Sequence, residues 1–113
     1  MQLWLSLNWR RNILNKYKVR LYRRALRDLD SIYAYIAFDK ASPAAAKSQT
    51  DRIKNAILVL AYMPYAHQDR LVGQYAGKGY KQLVTDNYIT VFRIDEENKT
   101  VWVITVQYGG RDT

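Results

Sequence analysis

Residues 79–112, GYKQLVTDNYITVFRIDEENKTVWVITVQYGGRD, constrain this chain more than any other stretch. Apolar and β-branched residues fill three runs, Lys81–Thr85, Tyr88–Ile94 and Thr100–Tyr108. They are separated by Asp86-Asn87 and by Asp95–Lys99. Runs of that length divided by short polar turns predict three consecutive antiparallel strands. In the last two runs both faces are largely apolar, with Trp102, Ile104 and Val106 on one side and Val101 and Val103 on the other. Such strands sit centrally in a sheet, covered on one face and shielded on the other.

Upstream the period changes. Tyr17, Val19 and Leu21 alternate with Lys16, Lys18 and Arg20, which predicts a strand with one buried face. From Arg23 onward Leu26, Leu29, Ile32 and Ile36 recur at three and four residues, the stripe of an amphipathic helix ending near Asp39–Lys40. Ser42-Pro43 opens a second helix, serine as N-cap and proline at the first helical position. Ala46, Gln49, Ile53, Ile57 and Leu60 form its expected inner stripe, and Met63-Pro64 closes it. A link of about two residues forces the helices into an antiparallel hairpin. Tyr65–Gly79 reads as a loop carrying His67 and Arg70. The fold class is therefore α+β in the order β-α-α-β-β-β, one body over residues 16–113.

Residues 1–15, MQLWLSLNWRRNILN, fit nothing downstream and are read as an extension that adds no core structure. Leu3, Leu5, Leu7 and Trp9 alternate like a strand, but Trp4 breaks the polar side. An added edge strand, an oligomer contact and a membrane-surface anchor are the alternatives. A signal peptide fits poorly, because Arg10-Arg11 follows the apolar stretch and no small-residue cleavage site appears.

Composition removes several classes. The chain has no cysteine, hence no disulfide framework and no thiolate metal site, and its single histidine makes a His-based zinc site a poor prospect. No cofactor is expected. No apolar run approaches the ~20 residues that cross a bilayer, and no membrane partner is expected. The formal charge of +8 is unevenly spread. Arg10, Arg11, Lys16, Lys18, Arg20, Arg23, Arg24 and Arg27 precede the first acid, Asp28, and beyond that point ten cations and ten acids cancel. Any polyanion contact must rest on that front end plus local clusters, not on bulk charge. An absence of cysteine also suits a reducing cytoplasm, the expected location.

The segments RRALRDLDSIYAYIA, SPAAAKSQTDRIKNAILVLAYMP and DNYITVFRIDEENKTVWVITVQYGGRD, taken in order, resemble the RelE/ParE superfamily of bacterial type II toxins. The resemblance covers roughly residues 17–112, and its most specific pieces are Ala25–Leu29 with Asp28, Met63-Pro64, and the terminal Tyr108-Gly109-Gly110-Arg111-Asp112. It implies a toxin neutralised by a cognate antitoxin protein that wraps its helices and sheet. RelE-like members of the superfamily cut mRNA on the ribosome without metal. ParE-like members lack the cutting residues and poison DNA gyrase.

Metal-free RNA cleavage needs a base for the 2′-hydroxyl proton, cations against the scissile phosphate and an acid for the leaving oxygen. The candidates for such a catalytic set are Lys81, Tyr88, Arg93, Tyr108 and Arg111. The cations would offset phosphate charge, and the tyrosines would stack on a base or move protons. Lys81, Arg93 and Arg111 are expected to share one open rim. A second lysine that the RelE-like pattern would place after Lys81 falls on Leu83, and an early arginine in the next strand falls on Ile89 or Thr90. Ribosome-dependent mRNA cleavage is the first expectation. A gyrase poison without chemistry of its own is the second, and a degenerate toxin retained for antitoxin binding and autoregulation the third. Arg93 could instead pair with Asp86, Asp95 or Glu97, His67 is expected to be a solvated loop histidine, and Asp28 and Asp30 to complement the first helix dipole.

Overall fold

The computed structural model describes residues 16–109, and the extension 1–15 and residues 110–113 lie outside them. A first strand, β1 (Lys18–Leu21), leads into helix α1 (Arg23–Ala34), which continues as a π-helical turn over Tyr35–Asp39. Helix α2 (Pro43–Val59) follows, and after the loop come β2 (Lys81–Thr85), β3 (Tyr88–Asp95) and β4 (Thr100–Tyr108). The α+β order expected from the pattern is the order found. β1 begins two residues later than the alternation suggests, because the Tyr17 N–H bonds the Ala61 carbonyl at 2.8 Å rather than a neighbouring strand.

The sheet order is β1-β4-β3-β2. β2, β3 and β4 form an antiparallel meander, and β1 lies parallel to β4, so the first strand pairs with the last. The meander has one irregularity. Val91 faces Thr105 and Phe92 faces Val103, which leaves Ile104 without a partner of its own. An extra residue in one strand switches the side-chain parity beyond it. Val106 therefore joins Val101, Val103 and Phe92 in the core under the helices, instead of following Trp102 and Ile104 as strict alternation predicts. The bulge is held from the helix side. Asp28 accepts a hydrogen bond from the Val106 N–H at 2.9 Å and another from the Thr105 hydroxyl. Asp28 is thus a bolt between α1 and β4, not a dipole partner, and the first turn of α1 contains no acid.

The hairpin buries Ala25 and Leu29 of α1 and Ala46, Thr50, Ile53 and Ile57 of α2. Ser42 caps α2 as expected, its hydroxyl accepting from the Ala45 N–H at 3.3 Å, with Pro43 in the first turn. Thr50 occupies the inward place expected for Gln49 and returns its hydroxyl to the Ala46 carbonyl at 2.9 Å. Gln49 instead reaches the β2–β3 turn. Its amide and the Arg52 Nε each donate to the Asp86 carboxylate at 2.9 Å. Asp86 adopts a φ of +56°, the left-handed conformation that a two-residue hairpin turn requires.

Replacing Asp28 by alanine leaves the Val106 donor and the Thr105 hydroxyl without their acceptor inside the α1–β4 interface. The expected cost is about 1–3 kcal/mol, read as a lower urea midpoint with an unchanged slope.

Candidate functional site

Lys81 opens β2 directly opposite Phe92, and the β2–β3 pairing runs without interruption from there to Thr85 opposite Tyr88. Residues facing each other across a ladder share a side, and consecutive residues alternate. Lys81 therefore projects on the side of the buried Phe92, and Arg93, one step along β3, projects on the other. The lysine is also engaged. Its side chain is only 19% exposed, and its ammonium donates to Asp69 Oδ1 at 3.0 Å and to the His67 carbonyl at 3.1 Å.

Arg93 lies opposite Trp102, its guanidinium carbon 5.8 Å from the indole centroid. That stacking accounts for a charge inside an apolar strand. Of the acids considered as its partners, Asp86 is held by Arg52 and Gln49, and Asp95 bonds the Asn98 backbone and side-chain amides while also feeling the Arg93 charge. On its other side Trp102 lies opposite Arg20 of β1, and the Tyr22 ring meets the indole edge-on at 5.7 Å. Arg20, Trp102 and Arg93 thus form one row across three strands. Sequence reasoning missed it because the row depends on β1 pairing with β4, which no local pattern reveals.

Tyr88 and Tyr108 face each other at the opposite end of the β3–β4 ladder, rings 5.6 Å apart at 65°. Four residues separate Tyr88 from Phe92, about 13 Å along a strand. Burial, then the neighbouring Tyr108 and Tyr35, push the Tyr88 phenol above its usual value, so it stays protonated. Beyond Tyr108 the chain leaves through Gly109, whose N–H bonds the Asn87 carbonyl at 2.7 Å. A Cβ there would stand 2.4 Å from Ile89 Cδ1. Arg111 lies outside the described residues. Of the four described candidates, then, Lys81 and Arg93 are divided by the sheet, and the two tyrosines pair with each other.

His67 is half-buried rather than solvated, its ring edge-on to Phe92 at 5.9 Å. Desolvation, then the charge of Lys81, lowers its pKa, which leaves it neutral at pH 7. Among the described residues no group of His, Asp and Glu is placed to hold a metal ion, and no helix is long and apolar enough to cross a membrane.

A polar cluster ties the front of the chain to the β3–β4 turn. The hydroxyls of Tyr17 and Tyr65 donate to Glu96 Oε1 at 2.7 and 2.9 Å, and Lys99 binds its other oxygen. The Lys99 ammonium also lies 4.8 Å from the Tyr17 ring centroid.

A strand, a helical hairpin and a three-stranded meander closed by the first strand form the scaffold of a known class of small bacterial toxins. The chain from a chromosomal ParDE toxin–antitoxin system of Pseudomonas aeruginosa superposes with a TM-score of 0.68 at 18% identity, over 85% of this chain and 99% of that one. A chain of the RelBE2 toxin–antitoxin complex of Mycobacterium tuberculosis gives 0.57 at 24% identity, over 82% and 91%. A chain of the Escherichia coli RelBE complex gives 0.54 at 18%, over 84% and 99%. No curated protein matches the sequence. The family model for the ParE toxin of the type II toxin–antitoxin system parDE matches residues 19–113. The chain belongs to that family and is a type II toxin of the RelE/ParE superfamily.

Hydrogen bonds from Lys99, Tyr17 and Tyr65 pull the Glu96 carboxyl from its usual 4.5 to about 2. A group whose pKa is depressed by folding stabilises the protein above its unfolded value and loses that contribution as pH falls toward the folded one. Urea midpoints of the unmodified protein should therefore drop more steeply between pH 4.5 and 2.5 than those of Glu96→Gln, and the two should converge at the acid end.

Proposed function

We propose that this toxin arrests growth as a ParE-like poison of DNA gyrase, acting by binding and without chemistry of its own. One observation carries the reading: Lys81 and Arg93, the two described cations that phosphate chemistry would need together, project from opposite faces of the sheet. Metal-free cleavage requires charge converging on one phosphate. A lysine already shared between Asp69 and a backbone carbonyl on one side cannot act jointly with an arginine stacked on Trp102 on the other. The match to the ParE family model supports the same branch. Ribosome-dependent mRNA cleavage, the first expectation from sequence, has no converging cation pair among the described residues to support it.

The toxin is neutralised by a cognate antitoxin and acts in the cytoplasm, where gyrase and its DNA are found. Exposed apolar side chains support a protein partner: Leu26, Leu58 and Val59 on the hairpin and Met63 just after it are all more than half exposed.

Two assays on the induced and purified protein test the reading. Supercoiling by gyrase should be inhibited with accumulation of cleaved DNA, and 5′ ends of cellular mRNA should remain unchanged on primer extension. Lys81→Ala should retain growth arrest, its half-inhibitory concentration for supercoiling within about threefold of the unmodified protein, under 1 kcal/mol. Codon-phased mRNA cuts that disappear in Lys81→Ala would overturn the proposal.

A further inference from the structure

The side of the sheet turned away from the hairpin carries a charge pattern that the fold does not use. Arg20 of β1 lies opposite Trp102 of β4, and Trp102 lies opposite Arg93 of β3, so two guanidiniums flank one indole. Lys18 projects on the same side as Arg20, and both are exposed. Arg70 arrives there from the loop. Its Nη1 donates to Gln82 Oε1 at 2.9 Å, and Gln82 faces Val91, which shares a side with Arg93. The strands contain one acid, Asp95, two residues beyond Arg93 on this side and bonded to Asn98. Cations therefore dominate the face, and Asp95 offsets only part of their charge.

We propose that this face binds the phosphate backbone of duplex DNA. Lys18, Arg20 and Arg93 make no ion pair among the described residues. Arg93 stacks by its flat side on Trp102, and Tyr22 meets the same indole edge-on. A guanidinium held by its face keeps its N–H edge for an oxyanion, which it can grip with two parallel hydrogen bonds. Trp102 is already engaged by these two neighbours, so it orients a cation rather than stacking a base. The contact is therefore to phosphate, and independent of sequence.

Duplex DNA fits this face better than an acidic protein does. Arg20 and Arg93 stand two strand spacings apart, about 10 Å. A duplex offers one negative charge about every 1.7 Å of its axis, so cations at that separation meet phosphates in any register. A protein partner would need carboxylates placed to match. The apolar side chains that support an antitoxin contact lie on and beside the hairpin, across the sheet from this row, so the two surfaces do not compete. The inference goes beyond the gyrase reading and is measured without gyrase, so either can fail alone.

Fluorescence anisotropy of the full chain with a labelled duplex of about 20 base pairs tests it across a salt series. The logarithm of the association constant should fall linearly with the logarithm of salt concentration. Arg20→Ala with Arg93→Ala should make that slope shallower by about 1.8, two contacts at about 0.9 each, and lower affinity at least about tenfold near 100 mM salt. Arg20→Ala alone, at an exposed position, should make it shallower by about 0.9, so the test does not depend on how the Arg93 variant folds. Lys47→Ala with Lys54→Ala removes the same charge from exposed positions of α2 and should leave slope and affinity unchanged. Absence of duplex binding at about 50 mM salt would overturn the proposal, as would equal losses in both double variants, the result of bulk charge alone. Binding confined to single-stranded RNA would assign the face to a message. Displacement of the duplex by polyglutamate as readily as by unlabelled duplex would assign it to an acidic protein, and either result refutes the DNA contact.

Discussion

The carboxylate of Asp28 holds the single irregularity of the sheet in place, and the arrangement of both faces follows from it. The bulge at Ile104 lets β4 present Val101 and Val103 to the helices before it and Val106 after it. Without a switch of parity one of those sets would point away from the hairpin. A bulge leaves backbone groups out of the ladder, and an acceptor on the covering helix is an economical way to satisfy one. Asp28 supplies it from the middle of α1 and in doing so fixes how the hairpin sits on β4.

Most of the fold was legible in the sequence, because its signals are local. The change from period two to period four at Arg23, the Ser42-Pro43 start and the Asp86-Asn87 turn each act within a few residues, and each is where the pattern placed it. The errors arose where a distant contact overrode a local rule. Val106 changed sides because of a bulge bolted from 78 positions away. Gln49 turned outward because Asp86 offered it an acceptor, and Thr50 could face inward because its hydroxyl folds back on the Ala46 carbonyl.

The candidate site was less legible for the same reason. Residue type and strand membership singled out Lys81, Arg93, Tyr88 and Tyr108, but whether side chains converge depends on register between strands, which composition does not encode. Lys81 opposite Phe92 rather than opposite Arg93 is a difference of one residue, and it separates the two charges by the thickness of the sheet. The row of Arg20, Trp102 and Arg93 went unnoticed because its members lie far apart along the chain. Only the parallel pairing of the first strand with the last brings them together.

That same pairing has a bearing on how the protein is made. β4 makes ladder contacts on both sides, with β3 and with β1, and it comes last in the chain among the described strands. Until it emerges, β1 has no partner strand and α1 lacks the strand it packs on. Long-range pairing of this kind forms late, after the entropy of closing a large loop has been met. A chain truncated anywhere before Thr100 lacks β4 and is unable to complete the sheet.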